Sequence, residues 1–581
     1  MKKKLLYSIF ALGIATTTLT SCEDMFGGFL DKQPSGELTG DEVFSDWGMM
    51  TQFHNDTYNF LRHGASRINR SWLDAATDLA ETSYANGGVR TTFNIGNYYG
   101  GGGAAELSDT WEHFYRGIRK CNMILTRIEN VPKGAELSED EYLVKKQNYI
   151  SEARFLRAWF NWELFLRYGP IPIVTEVLDP NGDLLSNYTV RPTLKEHVID
   201  FILKELKECE NGLLANNDTY KEYGRINQPM ARALYSRIML YMASPRYSTE
   251  SGITWQQAAE ANKGFIDTYG SLYTLMQGVD AKTALTNAWL QTPTNGNKEM
   301  IFYRNDGTIS WGSISNDTPV GEGGNGGLCP SQNLIDMYDM ADGNAPFQNY
   351  DETGAPAYNG TQPAINPGSA YSDANMWANR DQRLNASILY HGINWGNGTI
   401  NVVKGQRDNP VGNANATPTG YYVRKLIPES ILSNNHGGSS YRLWCFIRYS
   451  EILLNYAEAV NEVQGPCTEV YDALDQIRHR AGITGNVADR TDLNSKEKMR
   501  NFIRKERTVE LAFEEHRAWD VRRWNVAEKA LERDIIGIDV ADNGTITRKV
   551  AQSRIFNEKM YLYPIPEGEY WKTGIENNPG W

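Results

Sequence analysis

The segment "NYISEARFLRAWFNWELFLRYG", residues 148–169, constrains the fold more than any other stretch. Phe155, Leu156, Trp159, Phe160, Leu164 and Phe165 leave it almost no polar side, and it stops at Gly169-Pro170. A helix that is apolar nearly all round has to be surrounded by protein, and Gly followed by Pro marks a helix end. The chain therefore needs further helices to wrap a central one.

The sequence supplies them. "WEHFYRGIRKCNMILTRI" sets Trp111, Phe114, Ile118, Cys121, Ile124, Leu125 and Ile128 at three- and four-residue spacing, behind Asp109 as N-cap. "LKEHVIDFILKELKECENGLL" pairs with "MARALYSRIMLYMAS", "WQQAAEANKGFIDTYG" follows, and "EILLNYAEAVNEVQG" pairs with "EVYDALDQIRHRAG". Ala457, Ala459 and Ala473 permit close approach within the last hairpin, in the manner of tetratricopeptide units. The expected fold class is mainly α: a tetratricopeptide-like helix-pair scaffold with a long loop-rich region and a few short strands.

The loop-rich region runs from about Phe302 to Tyr441 and is dominated by Gly, Asn, Pro and aromatic residues, with short strand-like runs such as "SILYHG" and "GYYVRKLI". Irregular chain of this length inside a compact protein is either disordered or functional. Its aromatics, among them Trp311, Trp377 and Trp395, carry too much apolar area for a solvated linker, so ordered loops over the helices are expected.

At the other end, Lys2, Lys3 and Lys4 precede an apolar run from Leu5 to Ala15, followed by "TTTLTSCEDMF". This is the pattern of a secretory signal, too short to span a bilayer, which needs roughly 20 apolar residues. Leu19-Thr20-Ser21-Cys22 resembles a bacterial lipobox, which makes Cys22 the lipidated first residue of the mature chain. The acidic, Gly/Pro-broken stretch after it reads as a flexible leash.

Removing residues 1–21 takes away three lysines and no acids, moving the formal charge from −13 to −16. Such a surface repels nucleic acid and anionic lipid. The other five cysteines (Cys121, Cys209, Cys329, Cys445, Cys467) show no CxxC spacing; Cys121 and Cys445 read as small buried hydrophobes, and a pairing of Cys209 stays open. The histidines are isolated from one another, so no zinc site is indicated, and no P-loop, HExxH or GxSxG marks a cofactor or catalytic centre. Gly100, Gly102 and Ala105 match GxGxxA but lack the preceding strand, and read as a loop leading into a helix.

"ERTVELAFEEHRAWDVRRW" stacks Glu506, Glu510 and Glu514 four residues apart on what reads as one helix, so cations have to lie nearby; Arg507, Arg517, Arg522 and Arg523 are the expected partners. One helix face cannot flank a sugar from two sides as a glycosidase pair does, so a structural ion network is the expected role. The aromatic excess, 15 Trp and 32 Tyr against 19 Phe, instead suits wet binding surfaces, because Trp and Tyr combine a flat apolar face with a polar edge.

Taken in order, "WEHFYRGIRKCNMIL", "EARFLRAWFNWELFLRYGPIPIV", "NRDQRL", "IRYSEILLNYAEAVNE", "IRKERTVELAFEEHRAWDVRRW" and "YLYPIPEGEYWKTGIENNPGW", behind the lipobox, resemble the SusD/RagB family of Bacteroidetes lipoproteins. Gln382, where the family usually has Pro, and Thr508, where Arg is frequent, are small departures. The resemblance implies a signal peptide over 1–21, a lipidated tether over 22–45, and one domain over 46–581, divided into parts 46–300, 301–440 and 441–581. It also implies a non-enzymatic lipoprotein on the outside of the outer membrane, a lid over a SusC-like TonB-dependent transporter that captures glycans. Some relatives bind peptides instead, and a secreted glycoside hydrolase is the remaining alternative. By segment, the resemblance puts the ligand platform at Asp74, Tyr98 and Tyr99 and at Trp311, beyond Glu299-Met300-Ile301-Phe302, with Trp377 and Trp395 as further ligand candidates.

Overall fold

The computed structural model of the protein describes residues 40–581 apart from 66, 180–181, 183–187 and 216–222. Cys22 and most of the 22–45 tether lie outside the described residues.

The central helix forms over Glu139–Tyr168, thirty residues, and begins earlier than its apolar core. Ser138 and Glu141 cap it reciprocally, and Gly169 ends it at φ 71°, a backbone region where a side chain would be strained. Phe155, Leu156, Phe160, Trp162 and Leu164 have no exposed surface. The preceding helix, Thr110–Arg127, crosses it at Gly117, where an added Cβ would stand 2.8 Å from the Phe160 ring. Asp109 occupies the N-cap position of that helix without capping it, because its carboxylate faces Arg62, 3.4 Å away.

Helices then follow one another through space. Leu203–Glu210, which continues a π-wound turn over Lys195–Ile202, packs on the central helix; Gln228–Ala243 packs on it in turn, and Trp255–Tyr269 on that. The next layer is not the next segment in sequence. Tyr449–Gln464 docks on Trp255–Tyr269 and hairpins with Thr468–Arg480, where Ala457, Ala459 and Ala473 are buried as close-approach residues. This is the tetratricopeptide-like arrangement expected from the apolar spacing.

The loop-rich region leaves and re-enters this stack through a two-stranded antiparallel ribbon, β1 (Met300–Ile309) and β2 (Ser440–Arg448). Phe302 on β1 meets Phe155 and Trp159 of the central helix edge-on, at 5.2 and 4.9 Å. The ribbon is thereby fixed to the core, and so is everything it carries. Tyr338, Tyr371, Trp395, Tyr421 and Tyr422 are buried, and Ile388–Leu389 pairs with Tyr422–Val423 where the sequence suggested strands. The five described cysteines are free thiols. Cys121, Cys209 and Cys329 are buried, whereas Cys445 is only half-buried because the ribbon bulges beside it.

The acidic segment departs from expectation. Its helix ends at Glu510; Phe513 and Glu515 take left-handed φ values of 65° and 64°, and a second helix starts at His516. Glu514 therefore does not share a helix face with Glu506 and Glu510. Asp74 makes the turn tenable: it accepts the amides of Phe513 and Glu515 at 3.1 and 3.3 Å, donors that no helix can use there.

Candidate functional site

The register of the ribbon builds the site. Ser440 faces Ile309, so the residues just past β1 and just before β2 emerge side by side. Trp311 opens a short helical turn on one side, and on the other Asn434, Asn435 and His436 are all left-handed, at φ 51°, 56° and 66°. Asn tolerates the left-handed region, whereas His436 adopts it at a cost, so a run of three such residues persists only where the surroundings hold it. The product of this turn is a ring stack: His436 lies on Trp311 with centroids 3.9 Å apart and planes 5° from parallel. Both rings are half-buried.

The chain after Trp311 is polar, and backbone bonds from Ser315 to Trp311 and from Asn325 to Ser315 fold it back on itself. The Tyr84 hydroxyl contacts the backbone and side-chain oxygens of Asn316 at 3.3 Å, Asn325 follows, and the Asn415 amide donates to Asn325 at 3.2 Å. Burial and the charge of Asp317 push the Tyr84 hydroxyl up to about 12, so it remains a neutral donor. A flat apolar face together with amides and a hydroxyl matches a sugar ring, with its apolar C–H face and polar edge. Among the described residues no group of His, Cys, Asp and Glu could hold a metal ion.

The expected site residues are divided by the structure. Trp311 sits in this surface. Asp74 does not: it is 1% exposed, spent on the turn amides, and burial together with Glu515 pushes its carboxyl up to about 7. Tyr98 is 7% exposed and stacks on Trp581 at 6.0 Å, anchoring its loop from beneath. Trp395, at 2%, is core. The resemblance places these residues by segment, and a segment match does not say which of its side chains turn inward; these loops carry their own buried side chains. Trp377 is half-buried against Tyr390, 4.9 Å away, with its indole N–H toward the Tyr421 hydroxyl. Tyr99 is 50% exposed and belongs to a separate surface beside Glu567. Tyr84, His436 and the asparagines were missed, although "NNHGG" does carry a signal, since Asn-Asn before Gly-Gly favours left-handed backbone.

The acidic segment is paired with cations throughout. Glu510 meets Arg448, Arg480 and Arg383; Glu506 meets Arg383 and Arg478; Glu514 meets Arg448 and Lys425. These cations come from other elements, in place of the neighbours expected from sequence: Arg507 pairs with Asp520, Arg517 with Asp78 and Arg523 with Glu458, while Arg522 serves backbone carbonyls. The role as an ion network stands; the partners do not.

The helix-pair scaffold thus presents an aromatic surface on a long loop excursion, and the carboxylates of Glu506, Glu510 and Glu514 are paired with cations in the interior. The chain belongs to the SusD family, whose model matches residues 285–581, more than half of its length. A second family model, described as starch-binding and associating with the outer membrane, matches residues 29–240. SusD-like protein P25 of Formosa agariphila is 22% identical over 87% of this chain and 87% of its own length. SusD-like protein P2 of the same organism is 28% identical over 28% of this chain and 30% of its own. A SusD-like protein from Bacteroides fragilis superposes with a TM-score of 0.74 at 26% identity, covering 93% of this chain and 98% of that one. A laminarin-binding SusD-like protein shares the fold at a TM-score of 0.55, with 20% identity over 93% and 100% of the two chains.

Proposed function

We propose that this chain is a cell-surface glycan-binding lipoprotein, anchored through Cys22 to the outer membrane, that captures oligosaccharides or polysaccharides and passes them to a SusC-like TonB-dependent transporter. The observation that carries the reading is the Trp311–His436 stack, held by a left-handed turn, with the polar residues Asn316 and Asn325 following Trp311 in the chain. Relatives described as carbohydrate-binding and laminarin-binding support the ligand class. The chain acts by binding, without catalysis; the carboxylates of residues 506–514 are committed to arginines and lysine.

An open platform gains little on binding, so micromolar to millimolar Kd is expected for an oligosaccharide, about 4–8 kcal/mol. Calorimetric titration of the lipid-free protein with soluble starch, laminarin and a pool of extended peptides tests it. Glycan binding weakened by roughly 1–3 kcal/mol in Trp311→Ala, the scale of stacking on an aromatic ring, is the expected result. Binding of peptides alone, or glycan binding indifferent to Trp311, defeats the reading. The anchor is tested separately: Cys22→Ala should leave the folded protein off the membrane in cells that lack the transporter, and retention there would sink it.

A further inference from the structure

The C-terminal helix Glu567–Thr573 presents an aromatic surface that the reading above leaves unused. Trp571 is 74% exposed, an unusual position for the residue type that most gains from burial. It is nevertheless fixed: its indole N–H donates to Glu567 Oε1 at 3.3 Å, and Tyr570 meets it edge-on at 5.1 Å. Glu567 in turn donates its backbone amide to the Gly100 carbonyl, which ties the helix to the loop that carries Tyr99. At Gly101 the two converge, since an added Cβ would stand 2.7 Å from the Tyr99 ring and 3.0 Å from Glu567 Oε2. The glycine is what lets ring and carboxylate lie side by side. Two exposed rings thus flank one carboxylate.

We propose that Tyr99, Glu567 and Trp571 form a second carbohydrate-binding surface, which takes an uncharged polysaccharide already engaged at Trp311. The rings supply faces for sugar C–H groups, and Glu567 accepts hydroxyl hydrogens between them. A protein partner fits less well, because a carboxylate at the centre of a contact is disfavoured in protein interfaces and has to be desolvated. An anionic glycan is disfavoured by Glu567, on a chain with net charge −13; Glu569 is paired with Lys572. Two weak sites on one polymer gain avidity that neither has alone, so this surface counts for long chains and not for short ones.

The proposal rests on the carbohydrate reading, and the test separates the Trp571 surface from the Trp311 surface. Wild type, Trp571→Ala, Trp311→Ala and the double variant are titrated with soluble starch and laminarin, and with their short oligosaccharides. Trp571→Ala is expected to lower polysaccharide affinity about tenfold, leave oligosaccharide affinity within about twofold, and leave the melting temperature unchanged. In the Trp311→Ala background, the Trp571 change should remove the remaining polysaccharide binding. Unchanged polysaccharide binding in both Trp571 variants overturns the second surface, whatever Trp311 does. Loss of transporter co-purification with glycan binding intact overturns it as well, and makes the surface a protein contact.

Discussion

Nη1 of Arg448 lies 2.6 Å from Oε1 of Glu510, and both side chains are sealed from solvent. Arg480 and Arg383 meet the same carboxylate. Glu510→Ala leaves three buried guanidinium groups short of one partner, and breaking a buried pair costs about 3–5 kcal/mol. The melting temperature should fall sharply, while the fraction that stays folded binds glycan with wild-type affinity. A calorimetric scan and a titration on the same sample check both. Lost affinity with an unmoved melting curve would place Glu510 in a binding site.

The same chemistry sets an acid limit. Burial alone would raise Glu106, Glu458 and Asp339, but Arg167, Arg523 and Lys505 respectively lead the cations that hold each at about 2. Their folded values lie below the unfolded range of about 4. Each therefore contributes stability that is complete above about pH 4.5 and is lost as pH falls toward 2. Asp74, raised to about 7 by burial and Glu515, runs the other way, and its effect falls in a different window: protonation relieves it as pH drops from about 7 to about 4, above the range in which the three paired acids are lost. Denaturant midpoints measured from pH 7 to pH 2.5 should drop most steeply below pH 4.5; a midpoint constant down to pH 3 contradicts the assignment.

Helix positions were legible because burial of one face forces a spacing that survives in the residue order, as Trp111, Phe114, Ile118 and Cys121 show. The site was less legible because it depends on which loops meet. Nothing near Trp311 in sequence announces His436, 125 residues later; only the Ile309–Ser440 register brings them together. The partners of Glu510 were misjudged for the same reason, since Arg383, Arg448 and Arg480 reach it from three other elements. Likewise Asp74 looked like a loop acid until the turn at Phe513 and Glu515 gave it two amides to accept.

Tyr98 and Tyr99 are adjacent and should behave oppositely. Tyr98 is packed on Trp581 and edge-on to Phe93 and Tyr563, so Tyr98→Ala opens a cavity at a cost of about 3–5 kcal/mol. Tyr99→Ala removes a half-exposed ring and should move stability by less than about 0.5 kcal/mol. Chemical denaturation of the two variants decides it, and equal losses would refute the division of this loop into an anchor and a surface.

His436 should act on ligand through Trp311. The imidazole covers one face of the indole, and such an aromatic contact contributes about 0.5–1.5 kcal/mol beyond the area it buries. Without it the indole can rotate, and the ordering then has to be supplied by the ligand. His436→Ala is therefore expected to weaken oligosaccharide binding by about 1 kcal/mol, less than Trp311→Ala, with little change in melting temperature because the turn is exposed. The two effects should not add: once Trp311 is gone His436 has nothing to hold, so the double variant should bind as weakly as Trp311→Ala alone. Calorimetric titration of the four proteins with one oligosaccharide closes the cycle. Full additivity would mean that His436 contacts the sugar directly, and that the two rings grip it from separate positions.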